Sequence, residues 1–177
     1  MSSPSPSRDD PVDTPALAAA YQALLDTADI VAAADGTPRA APTGEWTADQ
    51  VLAHVSLVTA VTIAAVATVA AGSNTTYDNR IALDAWTIDR AITLAGGTTG
   101  LHRRIRQQGR ALCTLAATAS RAELDTPVPT LLLSGDAVLV DQNVPLEDLL
   151  TGLADTELPG HTAQLRALRA GGVTTRA

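Results

Sequence analysis

EWTADQVLAHVSLVTAVTIAAVATVAAG, Glu45 to Gly72, is the longest stretch of this chain with one uninterrupted pattern. Thr47 followed three residues later by Gln50 is a capping box, in which each side chain satisfies a backbone N–H at the start of a helix. Val51, Leu52, Val55, Val58 and Thr62 then recur at helical spacing and predict one inward face. Trp46, just before the cap, is placed to pack as a staple. The helix is expected to run to Ala71 and to end at Gly72-Ser73-Asn74. From Leu57 to Ala71 it has 15 apolar or Thr residues without a charge. A membrane span needs about 20, and Ala and Thr are weakly hydrophobic, so the expected role is a buried core helix.

Elements on either side carry the same period. ALAAAYQALLDTADIVAAAD, Ala16 to Asp35, has high helix propensity, with Thr14 and Pro15 suited to its cap and first turn. Its predicted apolar face is Leu17, Tyr21, Leu24, Leu25 and Ala28. GTPRAAPTG then breaks the pattern. After the polar SNTTYDNR come two helical stretches, Arg80 to Ala95 and about Thr99 to Ala119, separated by GGTTG. The second presents Leu101, Ile105, Leu112, Leu115 and Ala116 on its apolar side. Leu131–Leu133 and Val138–Val140 flank Ser134-Gly135-Asp136 as a small hairpin. A last helix is expected from Leu146 to Ala170. The sum is an all-α protein, a four-helix bundle with a small β-hairpin before the last helix. Residues 1–13, Ser/Pro-rich and without an apolar core, read as a disordered tail rather than a signal peptide. Residues 14–170 form the bundle domain, and 171–177 are expected to fray.

Composition narrows the function. The 177 residues are 46% hydrophobic but contain no Phe and only two Trp and two Tyr, so the core is built from small aliphatic side chains. All 12 basic residues are Arg, and the net charge is −7. That acidity argues against nucleic acid and anionic membranes as partners. A cytoplasmic protein acting on a small molecule, possible as a homodimer, is the expectation. Cys113 is the only cysteine, which excludes an internal disulfide; its apolar surroundings in RALCTLAATA predict a buried core position.

Three histidines are present, at 54, 102 and 161. His54 lies among Val51, Val55 and Val58 and should point inward. His102 opens the run HRRIR, where Arg103, Arg104 and Arg106 read as a solvated face. Glu157 and His161 in ADTELPGHTAQL are four residues apart, which on a helix puts carboxylate and imidazole on one side. Two imidazoles, one carboxylate and an open position make a catalytic zinc set if the last helix packs on the helix of His54; nickel, iron or manganese could take the same ligands. Between the acid and the base, Pro159 lacks an N–H and is expected to kink the helix at the Asp155 carbonyl. Asp78, Arg80, Asp84 and Asp89 read as surface ion pairs rather than a pocket.

EWTADQVLAHVSLV, with Trp46 and His54, resembles the second-helix signature of the DinB/YfiT-like superfamily, including its mycothiol-dependent maleylpyruvate isomerase group. ADTELPGHTAQL resembles the final helix of that superfamily, commonly H-x-x-x-H-x-x-Q. Glu157 stands at its first position, as in the isomerase group, with His161 at the second and Gln164 at the trailing Gln. The resemblance runs from about Leu17 to Leu168. It implies a metal site of His54, Glu157 and His161, usually with Zn2+, and catalysis by the same residues. It also implies mycothiol as a thiol co-substrate, in a transferase or isomerase acting on a small electrophilic metabolite. The all-Arg basic set fits an actinobacterial source, where mycothiol is the expected thiol. Without the additional C-terminal domain of the isomerase group, a stand-alone member with another substrate, in secondary metabolism, is the expectation. Two other readings stay open: a metal-independent cyclase or isomerase of the same fold, with these residues as acid or base, and a non-catalytic binding or resistance protein.

Overall fold

The computed structural model describes residues 12–34 and 45–170. Most of the expected N-terminal tail, the GTPRAAPTG connection and the expected frayed end lie outside the described residues. The order is α1 (Thr14–Ala34), α2 (Ala48–Ala70), β1 (Tyr77–Asp78), a 3-10 turn (Arg80–Ala82), α3 (Ala85–Ala95), α4 (Thr98–Thr118), α5 (Arg121–Leu124), β2 (Pro127–Ser134) and β3 (Ala137–Pro145). Then come α6 (Leu146–Gly152), a π-helical turn (Leu153–Glu157) and α7 (Leu158–Ala170), which form one continuous C-terminal helix. The fold is all-α with a small hairpin before the last helix, as expected. The described residues hold six helices rather than four. α3 and α4 are separate elements, and α5 is a short turn of helix with its own Ser120–Glu123 capping box.

α1, α2, α4 and the C-terminal helix surround the core: α2 packs on α4, α4 on α1, α1 on α7, and α7 on α2. The predicted inward residues of α1 and α2, Leu17, Tyr21, Leu24, Leu25 and Ala28, then Val51, Leu52, Val55, Val58 and Thr62, are all buried. On α4, Leu101, Ile105, Leu112 and Ala116 are buried, while Leu115 is half-buried. Cys113 is also only half-buried, its Sγ 3.9 Å from the Thr14 carbonyl. The capping box of α2 forms as the sequence predicts. In α1 the cap is one residue earlier than expected, because Asp13 Oδ1 accepts from the Ala16 N–H at 2.8 Å.

Two buried tyrosines are held by α2. Thr59 and Thr62 donate to the carbonyls of Val55 and Val58, so each can only accept from the tyrosine beside it. Tyr21 accordingly donates to Thr59 at 2.8 Å and Tyr77 to Thr62 at 3.0 Å. The α3–α4 corner depends on two glycines. Gly96 ends α3 with φ of 80°, and Gly100 lies against the Ala95 carbonyl so closely that a Cβ would come within 1.6 Å of its oxygen.

The sheet has an element that the sequence pattern does not announce. β2 and β3 pair antiparallel, with an irregularity between Leu132 and Leu133, and are longer than the predicted hairpin. β1 adds a short parallel edge through Tyr77↔Thr130 and Asp78↔Leu131. Asn79 continues this link: its side chain donates to Leu133 O and accepts from Leu133 N, both at 2.9 Å. The hairpin therefore anchors the 3-10 turn that follows. α2 and Thr14–Ala33 are long and apolar enough to cross a membrane, but 61% of the α2 window is buried within the protein, which identifies α2 as a core helix.

Candidate metal centre

His54 sits in the second turn of α2, buried to 3% exposure. Its Nδ1 lies 2.7 Å from the Ala82 carbonyl, and its Nε2 lies 3.0 Å from Glu157 Oε1. His161, on α7, mirrors this arrangement. Its Nδ1 is 3.0 Å from Gln164 Oε1 and its Nε2 is 3.2 Å from the same Glu157 Oε1. The two imidazole rings lie 4.7 Å apart between centroids, and Trp46 packs on His54 with ring centroids 4.9 Å apart. Trp46 thus packs on the histidine rather than only stapling the helix start.

Glu157 reaches this position through the π turn. The Leu158 N–H bonds to Leu153 O, five residues back. In a regular α-helix Pro159 would leave the Asp155 carbonyl without its donor and its ring would collide with that carbonyl. Widening the turn by one residue draws the proline ring away from that carbonyl, and π turns of this kind are frequent at functional sites. The expected disruption at Pro159 therefore takes the form of a π turn that leaves Glu157 and His161 on the same side of the helix.

The hydrogen bonds determine what the cluster can hold. A carbonyl only accepts, so His54 Nδ1 carries a proton and Nε2 is left as the lone pair of the neutral ring. The Gln164 oxygen, as assigned, makes the same demand on His161. Two such lone pairs aimed at one carboxylate oxygen require either extra protons or a cation among them. The ligand atoms of the three residues lie within 4.8 Å of one another. The observed Nε2–Oε1 separations of 3.0 and 3.2 Å are close to the roughly 3.4 Å expected between ligands held ~2.1 Å from a tetrahedral zinc. The donor set, its tautomers and its spacing fit a divalent metal ion, which His54, Glu157 and His161 could hold. Histidine ligands held through the other nitrogen by a carbonyl or amide oxygen are the usual companions of such sites.

Without a cation, protons shared with the two imidazoles take its place, and the hydrogen bonds with His161 and then His54 hold the Glu157 carboxyl well below the ordinary carboxylate range, against the opposing effect of burial. Burial pushes the His161 imidazole down, but its bonds to Glu157 and Gln164 prevail and leave it above its ordinary value. Tyr77, chiefly through burial and also through the charge on Glu157, is raised to about 12 despite its bond to Thr62. It stays a protonated phenol in the field of the cluster.

His102 takes no part. It is buried on α4 rather than on a solvated face, with Nδ1 3.0 Å from Asp29 Oδ1. Asp78 and Arg80 form a surface ion pair, and Asp84 caps α3 through Thr87. The Ala82 carbonyl and Tyr77 were not singled out by sequence reasoning. A backbone carbonyl carries no residue-type signal, and the only hint of either was the break between α2 and α3. No protein-family model, no curated protein and no solved structure matches the chain.

Proposed function

We propose that this chain is a metal-dependent enzyme of the DinB/YfiT-like kind. Its reaction would be the transfer of a small thiol such as mycothiol to an electrophilic metabolite, or a thiol-assisted isomerisation of one. The observation that carries this reading is the convergence of His54 Nε2, His161 Nε2 and Glu157 Oε1 from two helices, with both remaining ring nitrogens already bonded. Zinc or another divalent ion bound there would favour the deprotonated, nucleophilic form of a coordinated thiol near neutral pH.

The chain's own residues have separate tasks in this reading. Ala82 O and Gln164 orient the two imidazoles and keep their Nε2 lone pairs free. Glu157 supplies negative charge between them. Trp46, packed on His54, shields that ring from water. The reading places the enzyme in the cytoplasm, where small thiols are kept reduced. It takes a small molecule as its substrate and leaves a homodimer as an open option. The test is metal analysis of the purified protein beside the variant His54→Ala, followed by thiol-dependent turnover against a panel of electrophiles. Equal metal content in the two proteins would overturn it.

A second reading rests on the same hydrogen bonds. His54 and His161 both meet Glu157 Oε1, a shared contact that can move a proton without an ion, as an acid–base unit in an isomerase or cyclase. Full activity after exhaustive chelation would favour this reading over the first.

A further inference from the structure

On the side of the bundle formed by α1 and α4, sharing no residue with the histidine–glutamate cluster, a groove of about 510 Å³ lies between Asp29 and the first four turns of α4. Arg103, Arg106 and Arg110 line it and are all exposed. Their spacing of three and four residues puts them on one stripe of the helix, where like charges repel. Among the described residues none of the three forms an ion pair; the ion-paired arginines are Arg80 and Arg121. Among the described residues the only carboxylate lining the groove, Asp29, is already bonded to His102 at 3.0 Å.

This concentration is unexpected in a chain of net charge −7. Acidic residues outnumber arginines, yet α4 gathers three guanidiniums on one wall of a cavity and gives them no partner. Guanidiniums present forked donors that match carboxylate and phosphate oxygens. At 1.5 Å per residue, the stripe from Arg103 to Arg110 spans roughly 10 Å. That length fits two or three linked anionic groups better than one. The acidity of the rest of the surface opposes a nucleic acid, which would have to approach far more than this groove.

We infer that the α1–α4 groove is a binding site for an elongated small-molecule polyanion, bearing two or more phosphate or carboxylate groups, held by Arg103, Arg106 and Arg110. Gln107, in the same lining, adds a neutral donor. The site is independent of the metal centre and does not rest on the function proposed for it.

Pyrophosphate, citrate and orthophosphate serve as probes, with metal-free full-length protein so that chelation plays no part. Calorimetric titration and thermal melts are run against sodium chloride of equal ionic strength. Pyrophosphate or citrate is expected to bind at least ~10-fold more tightly than orthophosphate and to raise Tm beyond the salt control, and which of the two binds better distinguishes phosphate from carboxylate ligands. The variant R103Q/R106Q/R110Q is expected to weaken that binding ~10-fold or more, Gln being a good helix former that keeps α4 intact. The three single substitutions provide the same reading should the triple variant fold poorly. R104Q, the same change of charge outside the groove lining, is expected to leave binding unchanged. Binding of orthophosphate as tight as that of pyrophosphate and citrate, equal binding by the groove variants, or shifts reproduced by sodium chloride would each overturn the inference.

Discussion

His54 and Glu157, 103 residues apart in the chain, meet through a contact of 3.0 Å between Nε2 and Oε1. The contact joins α2 to the π turn of the C-terminal helix. His161 adds its own Nε2 to the same oxygen at 3.2 Å. The centre is thus built around one carboxylate oxygen, and each of its parts can be removed separately.

Removal of a ligand is the first test. His54→Ala, Glu157→Gln and His161→Ala each delete one of three donors. Zinc affinity is expected to fall by ~100-fold or more in each, beyond the about 10–100-fold cost of losing only a supporting hydrogen bond. Competition with a calibrated chelator measures it.

Gln164→Leu leaves all three ligands in place but removes the partner of His161 Nδ1. The ring is then free to turn and to change tautomer. Zinc affinity is expected to fall by about 10–100-fold with little change in fold. An affinity equal to that of the parent protein would show that Gln164 does not orient the ring.

The pH response should differ in sign between metal-free and metal-loaded protein. His161 titrates above its ordinary value of 6.5 when folded, so its stabilising contribution is complete below that pH and is lost as pH rises through the folded value. Glu157 is held below its ordinary 4.5, so its contribution is present above that pH and is lost only in strong acid. Metal-free protein should therefore lose stability as pH rises above the ordinary histidine value of 6.5, a loss that His161→Asn abolishes. Zinc affinity should rise over the same window, because a ligating imidazole must be neutral. Melts of chelated protein and calorimetry with zinc across that range read both trends.

Pro159→Ala restores a backbone N–H that can bond in a regular helix. The π turn then loses its main cause, and Glu157 is no longer held toward His54. Zinc affinity is expected to drop at least ~10-fold while Tm stays level or rises, since removing Pro from a helix interior is favourable. Unchanged affinity would mean that packing of Leu153, Ala154 and Leu158, not the proline, maintains the turn.

Two glycine substitutions should act in opposite directions. Gly100→Ala would place a Cβ 1.6 Å from the Ala95 carbonyl oxygen, a backbone atom that cannot move aside cheaply. A loss of about 2–3 kcal/mol is expected. Gly160→Ala meets nothing within 4 Å on an exposed helical position. It should gain about 0.5–1 kcal/mol, by reducing the freedom of the unfolded chain and improving helix propensity. Urea unfolding of both variants checks the pair.

Local order is largely legible in the residues themselves. Helical spacing marks Leu17 to Ala28 and Val51 to Thr62 as inward faces, and Thr47 with Gln50 marks the start of α2, because these signals depend on neighbours within one or two turns. Glu157 and His161 are likewise recognisable as a pair by their spacing, whereas His54 joins them in the sequence only on the condition that the last helix packs on α2, or through the family resemblance. What the tertiary structure alone decides are the relations between distant segments. Asn79 bridging to Leu133 places the Ala82 carbonyl against His54, Asp29 draws His102 out of the solvated face that its Arg neighbours imply, and the two-residue strand β1 exists only because β2 lies beside it. The π turn belongs with these. Pro159 makes a regular helix unfavourable there, but its presence in the sequence does not say that the chain answers by widening one turn, nor that the widened turn, with Leu153, Ala154 and Leu158 buried in the bundle, presents Glu157 to His54. Spacing along the chain carries the local preference, while the choice among the ways to satisfy it is made by the contacts that burial forces on residues far apart in sequence.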